Sequence, residues 1–246
     1  MITANGHVIT PTIFPDKTSQ VWKIPECVLE SGTVYVQWYF EHEGELMHLL
    51  QLRRLLDTKG TSCKQYYLNL PFLPYGRQDK GTNNDSCFAL SVFLDTLGDW
   101  DKVTTIDAHS WTMGVISIYP GVAIANAIKA TGATAVCFPD KGASNRYKID
   151  LRTIVLEKVR EPSTGEIIGI TVLKDDAPIA TETSILIVDD ICDGGRTFIE
   201  SAKVLREHNP QATISLYVSH GIFSKGVQVL RDAGISRIFT KDGEVS

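Results

Sequence analysis

Cysteine is scarce in this chain of 246 residues, and its five copies (Cys27, Cys63, Cys87, Cys137 and Cys192) are scattered. None forms a C-x-x-C pair or falls at metal-ligand spacing with a histidine, which excludes a zinc ribbon and a disulfide-framework fold. Free thiols in a reducing compartment fit that pattern, so a cytoplasmic protein is expected. Long apolar runs are also lacking. No stretch approaches the roughly 18 apolar residues of a membrane span, and residues 1–10 have neither the basic start nor the apolar core of a secretory signal. Positive charge is not in excess: 24 Lys and Arg stand against 29 Asp and Glu, a formal net charge of -5. Such a chain has no general attraction for nucleic acid or an anionic membrane, so neither is expected as a partner. An anionic ligand would have to be held by local positive groups. Low-complexity segments and short tandem repeats are absent as well.

What is present is an alternation of apolar runs and helical patterns. Residues 34–40 are β-branched and aromatic and read as a strand. Residues 45–59 place Leu46, Leu49, Leu50 and Leu56 near helical spacing, with Gly60 as a stop. A strand follows at 66–70, then a helix at 85–97 with Asp85 as its N-cap, then a strand at 102–107. The rhythm continues with a helix at 122–130 ended by Gly132, and strands at 134–138, 154–159 and 167–172. After these come a compact apolar strand at 184–188, a helix at 197–207, a strand at 213–218, a helix at 227–233 and a short strand at 237–239. Strands alternating with helices imply parallel sheets covered by helices on both faces. The fold class expected is α/β, in two lobes of similar build, 1–118 and 119–246. In such folds ligands sit at the carboxyl ends of the strands.

The segment after the most apolar strand is the most informative. Val188 runs into Asp189, Asp190, Ile191, Cys192, Asp193, Gly194, Gly195, Arg196 and Thr197, then into a helix. A buried strand thus delivers two adjacent carboxylates to its tip. Two glycines let the backbone bend and approach a ligand closely. A helix N-terminus follows, whose free N–H groups favour a phosphate. Carboxylates suit ribose hydroxyls, and the amide cradle with the Thr197 hydroxyl suits a sugar phosphate. An ordinary strand-to-helix turn capped by Asp193 or Thr197 would explain one acid and one glycine, but not the consecutive acids.

This loop resembles the phosphoribosyl-diphosphate binding motif of type I phosphoribosyltransferases. Four further segments narrow the resemblance to the ribose-phosphate diphosphokinases (phosphoribosyl-diphosphate synthetases). Pro74, Tyr75, Gly76, Arg77, Gln78, Asp79 and Lys80 look like that family's ATP-site segment. Thr105, Ile106, Asp107, Ala108 and His109 look like its strand end with a Mg²⁺-linked histidine. Phe138, Pro139, Asp140, Lys141, Gly142 and Ala143 look like its diphosphate-side loop, and Ser219, His220, Gly221, Ile222, Phe223 and Ser224 like a further family segment. These pieces occur in family order over residues 14–240.

The resemblance implies two phosphoribosyltransferase-like lobes, each a mostly parallel sheet flanked by helices. It also implies a Mg²⁺-dependent transfer of the β,γ-diphosphoryl group of ATP to the anomeric hydroxyl of ribose 5-phosphate or a derivative, releasing AMP. Phe14 and Asp16, with Arg77, Gln78, Asp79 and His109, would bind ATP. Phe14 and Asp16 would belong to an adenine pocket completed by a neighbouring subunit, and a homo-oligomer is expected. Asp189, Asp190, Asp193, Gly194, Gly195, Arg196 and Thr197 would bind the ribose phosphate. His109 and Asp140 would serve the metal ion, which usually keeps several waters and uses few protein carboxylates. His220 is expected to be a satisfied core or loop histidine. Lys158 and Arg160 stand two apart on an extended segment, so both side chains point the same way. In the family a lysine and an arginine at this spacing bring positive charge to the transferring phosphate, where charge develops in the transition state.

Three departures from the family pattern stand out. The chain is short, and it is expected to lack the usual N-terminal strand–helix unit and a C-terminal extension that, in the family, help to build the hexamer and its nucleotide-regulated sites. Thr82, Asn83 and Asn84 replace a more charged stretch. Arg196 stands where a small residue is usual, either folding into solvent or meeting a second phosphate. The latter would suit a larger acceptor such as ADP-ribose, whose product would feed NAD salvage. Two other readings compete: a phosphoribosyltransferase that consumes the activated sugar, and a non-catalytic regulatory subunit. The first leaves Arg77, His109 and the Lys158–Arg160 pair without purpose. The retained pair argues against the second.

Overall fold

In the computed structural model of the chain, residues 1–59, 65–79, 87–160, 167–175 and 179–246 are described, with backbone alone at 158–160, 167–168 and 174–175. They form two compact units, Met1–Tyr119 and Pro120–Ser246. Gly60, Asp85 and Thr82 to Asn84, all singled out from the sequence, lie outside the described residues.

The first unit is built on a six-stranded sheet. Its strands are β1 (Ile2–Ala4), β2 (His7–Ile9), β5 (Thr33–Trp38), β6 (Gln65–Leu70), β7 (Lys102–Ile106) and β8 (Val115–Ile118), in the order β2-β1-β5-β6-β7-β8. β5 to β8 are mutually parallel, so their carboxyl ends share one edge. β1 and β2 add an antiparallel hairpin beside β5. A separate two-stranded hairpin pairs β3 (Thr12–Ile13) with β4 (Ser19–Gln20). It is anchored to α2 (Glu45–Lys59) by Gln51, which accepts from the Val21 N–H at 2.7 Å and donates to the Ser19 carbonyl at 2.9 Å.

One face of this sheet is packed. Val34, Val36 and Trp38 of β5 and Leu68 and Leu70 of β6 alternate inward, as the period of two requires. They meet Val28 of α1 (Glu26–Leu29), Leu49, Leu52 and Leu56 of α2, and Leu90, Phe93 and Leu97 of α3 (Ala89–Leu97). The opposite face departs from the expectation of cover on both sides. Tyr35 is 61% exposed, and with Gln37, Tyr67, Asn69, Thr104 and Lys102 it lines a shallow cavity of about 430 Å³. Among the described residues no helix packs there. A second difference concerns α3. It starts at Ala89 with Phe88 in the N-cap position and no side-chain cap, four residues later than the expected start at Asp85.

The second unit has a seven-stranded sheet, β11-β10-β9-β12-β13-β14-β15. The strands are β9 (Ala135–Phe138), β10 (Arg152–Arg160), β11 (Ile167–Asp175), β12 (Ser184–Cys192), β13 (Thr213–Gly221), β14 (Arg237–Thr240) and β15 (Gly243–Glu244). The five central strands are parallel, and β11 and β15 are antiparallel edges. Both faces are covered. Ile185, Ile187, Leu216 and Val218 pack with Phe198, Ala202 and Leu205 of α6 (Arg196–His208) and Leu230 of α7 (Gln228–Asp232). Leu186, Val188 and Tyr217 pack with Ile124 and Ala127 of α4 (Gly121–Thr131), and with Ala143 of α5 (Lys141–Arg146) and Tyr147 just after it. Gly132 closes α4 in the left-handed conformation, as expected.

Candidate functional site

The parallel strands of the second unit deliver Asp140, the acidic pair and residues 219–221 to one edge. β12 extends four residues beyond the apolar run, so Asp189 and Asp190 lie on the strand itself and not in the loop after it, a correction to the expected boundary. The reason is visible in the pairing: Asp189, Ile191 and Cys192 keep register with Val218, His220 and Gly221 of β13, which supports the ladder through the acids. Asp190 continues the inward row of Leu186 and Val188 and is 3% exposed. Its carboxylate meets the Arg146 guanidinium at 2.7 Å, and Asp189 lies 3.7 Å from the same nitrogen. The Asp190 backbone N–H donates to the Asp189 carboxylate at 2.9 Å.

Electrostatics follow from this crowding. Burial first, then the neighbouring charges of Asp190 and Asp140, push the Asp189 carboxyl well above the ordinary carboxylate range. Burial alone would make Arg146 easier to deprotonate. The Asp190 charge, helped by Tyr147, more than offsets this and holds the guanidinium protonated. The Cys192 thiol is pushed up to about 12, chiefly by burial and then by the charges of Asp193 and Asp189. It is therefore a neutral thiol at physiological pH and no nucleophile.

The turn after β12 is set by Gly195, whose φ is +80° and whose missing side chain leaves room for Leu230: a Cβ there would sit 2.9 Å from its Cδ2. Gly195 is the N-cap of α6, and no side chain caps the helix. Neither Asp193 nor Thr197 takes the capping role that an ordinary turn would assign. Asp193 instead accepts from the Ser224 hydroxyl at 2.5 Å. The first-turn N–H groups of a 13-residue helix are thus left without a capping side chain beside Gly194 and Gly195, which suits an anion. Arg196 is exposed. The methylene stem of Lys225 lies about 3.5 Å from the space a Gly194 side chain would take. Lys225 was not foreseen, because nothing in the pattern of residues 219–226 announces that this loop folds back onto the glycine turn.

Arg146 was not foreseen either. It stands at the end of a six-residue helix that the Asp140 carboxylate caps by accepting from the Ala143 N–H at 3.0 Å, and a helix that short shows no period in the sequence. That capping role accounts for one oxygen of Asp140. Among the described residues, no three His, Cys, Asp or Glu side chains converge as a metal cage. Mg²⁺ does not need one, because it takes most of its ligands from water and substrate phosphate. Asp140 stands at the same strand edge as the acidic pair, whose carboxylates share the Arg146 guanidinium, and an oxygen donor set of this kind fits a hard cation. His220 is buried, as a core histidine was expected to be.

The backbone of Lys158 and Arg160 lies on β10, opposite Ile170 and Ile167 of β11. β10 pairs with β9 only as far as Val155, which matches Phe138. The arm carrying Lys158 and Arg160 therefore runs past the end of β9 as a ribbon with β11. Their side chains lie outside the described residues.

In the first unit, Arg77 and His109 stand at the carboxyl edge, after β6 and β7. Arg77 and Gln78 are exposed and Asp79 is half-buried. Their turn is fixed by N–H donation from Gly76 to the Leu73 carbonyl and from Gln78 to the Tyr75 carbonyl. It is tied to α3 by the Leu90 N–H on the Gln78 carbonyl. Asp107, buried and with φ of +49°, redirects the chain so that His109 is exposed. Phe14 and Asp16 lie elsewhere in the unit, at the tip of the β3–β4 hairpin. The Phe14 ring is edge-on to Trp22, and Asp16 accepts from the Thr18 N–H and hydroxyl, which lowers its pKa.

Comparison with known proteins gives concordant matches. Residues 139–243 match the phosphoribosyl transferase domain family. The ribose-phosphate pyrophosphokinase of Pyrococcus abyssi is 30% identical over 243 residues, 92% of this chain and 81% of that protein. The ribose-phosphate pyrophosphokinase of Mycoplasmopsis pulmonis is 27% identical over 93% of this chain and 74% of its own length. Among solved structures, the phosphoribosylpyrophosphate synthetase from Mycobacterium smegmatis superposes with a TM-score of 0.71 at 20% identity, over 94% of this chain and 78% of that one. The chain belongs to the ribose-phosphate pyrophosphokinase family.

Proposed function

We propose that this member of the family transfers the β,γ-diphosphoryl group of ATP to the anomeric hydroxyl of a 5-phosphorylated ribose and releases AMP. The observation that carries the reading is the tip of β12. There an acidic pair, Asp190 buried and Asp189 half-buried, stands next to a glycine turn and a helix N-terminus with no side-chain cap. The carboxylates of Asp189 and Asp190 would take the ribose hydroxyls, and the 5-phosphate would sit at Gly194, Gly195 and Thr197 on the amides that open α6. Asp193, bonded to Ser224, would fix the outer wall of this turn.

In the transfer, the anomeric oxygen forms a bond to the middle phosphorus of ATP as the bond from that phosphorus to the AMP oxygen breaks. The hydroxyl proton leaves to solvent or a carboxylate. Lys158 and Arg160 would supply positive charge to the phosphoryl oxygens where charge develops. Arg77, Gln78, Asp79 and His109, with Phe14 and Asp16, are assigned to the nucleotide. Mg²⁺ would be held on the phosphates, with Asp140 and His109 as the protein groups, and would neutralise phosphate charge when bound.

A second acceptor is favoured by one observation. Arg196 and Lys225 are two separate cationic side chains beside the glycine turn, so an acceptor with two linked phosphates would meet one with each. ADP-ribose, which extends its 5-phosphate into a diphosphate, would use both. The test is AMP release from ATP and Mg²⁺ with ribose 5-phosphate or ADP-ribose, followed by chromatography. AMP with ribose 5-phosphate supports the simple acceptor, and AMP with ADP-ribose alone supports the larger one. Silence with both would overturn the diphosphokinase reading in favour of a transferase or a regulatory subunit.

A further inference from the structure

Arg146 is not on either strand tip that carries the proposed chemistry, yet it touches both carboxylates of the acidic pair. It ends α5, is about one-fifth exposed at its side chain, and sits 2.7 Å from Asp190 and 3.7 Å from Asp189. The helix that presents it is itself pinned at the other end, because Asp140 caps it through the Ala143 N–H. The face of α5 beside it is packed, with Ala143 buried and Tyr147 stacked on Phe138 at a ring separation of 6.1 Å. Asp190 is therefore enclosed and bonded to Arg146, whereas the Asp189 carboxylate, 17% exposed, keeps a side open to solvent.

We infer that Arg146 is a positioning residue of the sugar site: it anchors Asp190 and thereby sets the acidic pair, with Asp189 as its open member, for the ribose hydroxyls. The physical case is one of division of labour. Two adjacent carboxylates on one strand repel, and without a shared cation they would turn apart or take up a proton. A guanidinium is planar and permanently charged, and its Nη1 alone lies 2.7 Å from Asp190 and 3.7 Å from Asp189, so one group neutralises the pair. A lysine has no such plane but keeps the charge, and a glutamine keeps neither the charge nor the reach.

This inference rests on the reading of the acidic pair as the sugar site. It is tested by binding of ribose 5-phosphate and ADP-ribose, measured by calorimetry on the full chain, together with the acceptor KM and kcat of AMP release. Arg146→Gln is expected to weaken acceptor binding by about tenfold or more, the size of a lost charge-assisted contact. The KM for ATP should move far less, and Arg146→Lys should recover part of the loss. The deciding measurement is a double-variant cycle with Asp190→Asn. If Arg146 acts through Asp190, the pair of changes is no worse than the more damaging single change. That variant also removes both buried charges together, so it stays measurable where Arg146→Gln alone folds poorly. Losses that multiply would overturn the inference by showing that Arg146 meets the substrate itself. Binding without AMP release would sink only the diphosphokinase reading and leave the cycle to decide this one. No binding of either acceptor by the unaltered chain would remove both.

Discussion

At the strand tips of the second unit the candidate residues are engaged with one another before any substrate arrives: Asp190 is buried against Arg146, and Asp193 is bonded to Ser224. At the strand tips of the first unit, Arg77, Gln78 and His109 are exposed on turns fixed by backbone hydrogen bonds. The sheets beneath differ in the same sense. Among the described residues the second is covered on both faces and the first on one, with Tyr35 and Tyr67 edge-to-face at 5.3 Å on the open side. A fully covered sheet can hold buried charges at its tips, because packed helices such as α5 bring counter-ions to them. The open one buries Asp107 at a strand tip but leaves Arg77 and His109 exposed, where a charged group is worth little to the fold. Substitution of the buried, ion-paired Asp190 at the second site should therefore damage both stability and function, and substitution of the exposed Arg77 at the first should damage function alone.

The largest effect expected is at Asp190. Asp190→Ala leaves the Arg146 guanidinium buried without its closest partner, which costs about 3–5 kcal/mol of stability in comparable buried pairs. It should also abolish acceptor binding. Arg77→Ala should leave the unfolding midpoint nearly unmoved, within about 0.5 kcal/mol, while raising the KM for ATP. Chemical denaturation followed by fluorescence reads both variants. Equal stability losses at Arg77 and Asp190 would break the contrast.

Next is Lys158→Ala. If Lys158 supplies charge to the transferring group, kcat should fall by about 10²-fold or more with little change in stability, in line with the loss of one preorganised contact. Near-normal turnover would remove Lys158 from the mechanism. Gly195→Ala is expected to be smaller in free energy but to act on the fold. The left-handed φ costs about 1–2 kcal/mol for a residue with a side chain, and the 2.9 Å approach of Leu230 adds overpacking. A loss of roughly 2–3 kcal/mol, together with weaker phosphate binding, would show that the turn is shaped for close approach.

The parts of the molecule that could be read from the sequence are those whose signal is periodic or contiguous. α2 was expected at 45–59 and lies at Glu45–Lys59, because leucine spacing and flanking residues agree. The acidic pair and the glycine turn were legible because the whole device is contiguous. Arg146 was not, because its partner is more than forty residues away and only the packing of α5 beside β12 brings them together. β1 and β2 escaped notice because strands of three residues carry no usable period, and β8 because its Val115, Ile116 and Ile118 are half-buried or exposed and show no alternation. The end of β12 was misplaced because acids are poor strand formers, and only the ladder with β13 keeps them extended.

The smallest effect sharpens the contrast through pH. Away from its strand tips the first unit buries the carboxylate of Glu45, 6% exposed, which accepts from the Trp38 indole at 2.9 Å and from the Glu41 N–H at 2.9 Å, and lies 2.5 Å from the amino group of Met1. Burial pushes its pKa up, but these donors more than offset that and hold it below the ordinary value. Asp189 in the second unit moves the other way, well above its ordinary value. The two groups therefore give opposite slopes. Glu45, with a lowered folded-state pKa, contributes stability that is present above its unfolded value and lost as pH falls through the lower folded one. Asp189, with a raised folded-state pKa, contributes stability that is present below its unfolded value and lost as pH rises through the folded one. Glu45→Gln should thus cost about 1–2 kcal/mol at neutral pH, with the deficit shrinking in acid. Asp189→Asn should cost nothing at neutral pH, or raise the unfolding midpoint, while removing activity. Unfolding midpoints between pH 4 and pH 8 decide the matter, and a neutral-pH loss at Asp189 equal to that at Glu45 would show that the acidic pair is built for the fold and not held in tension for a ligand.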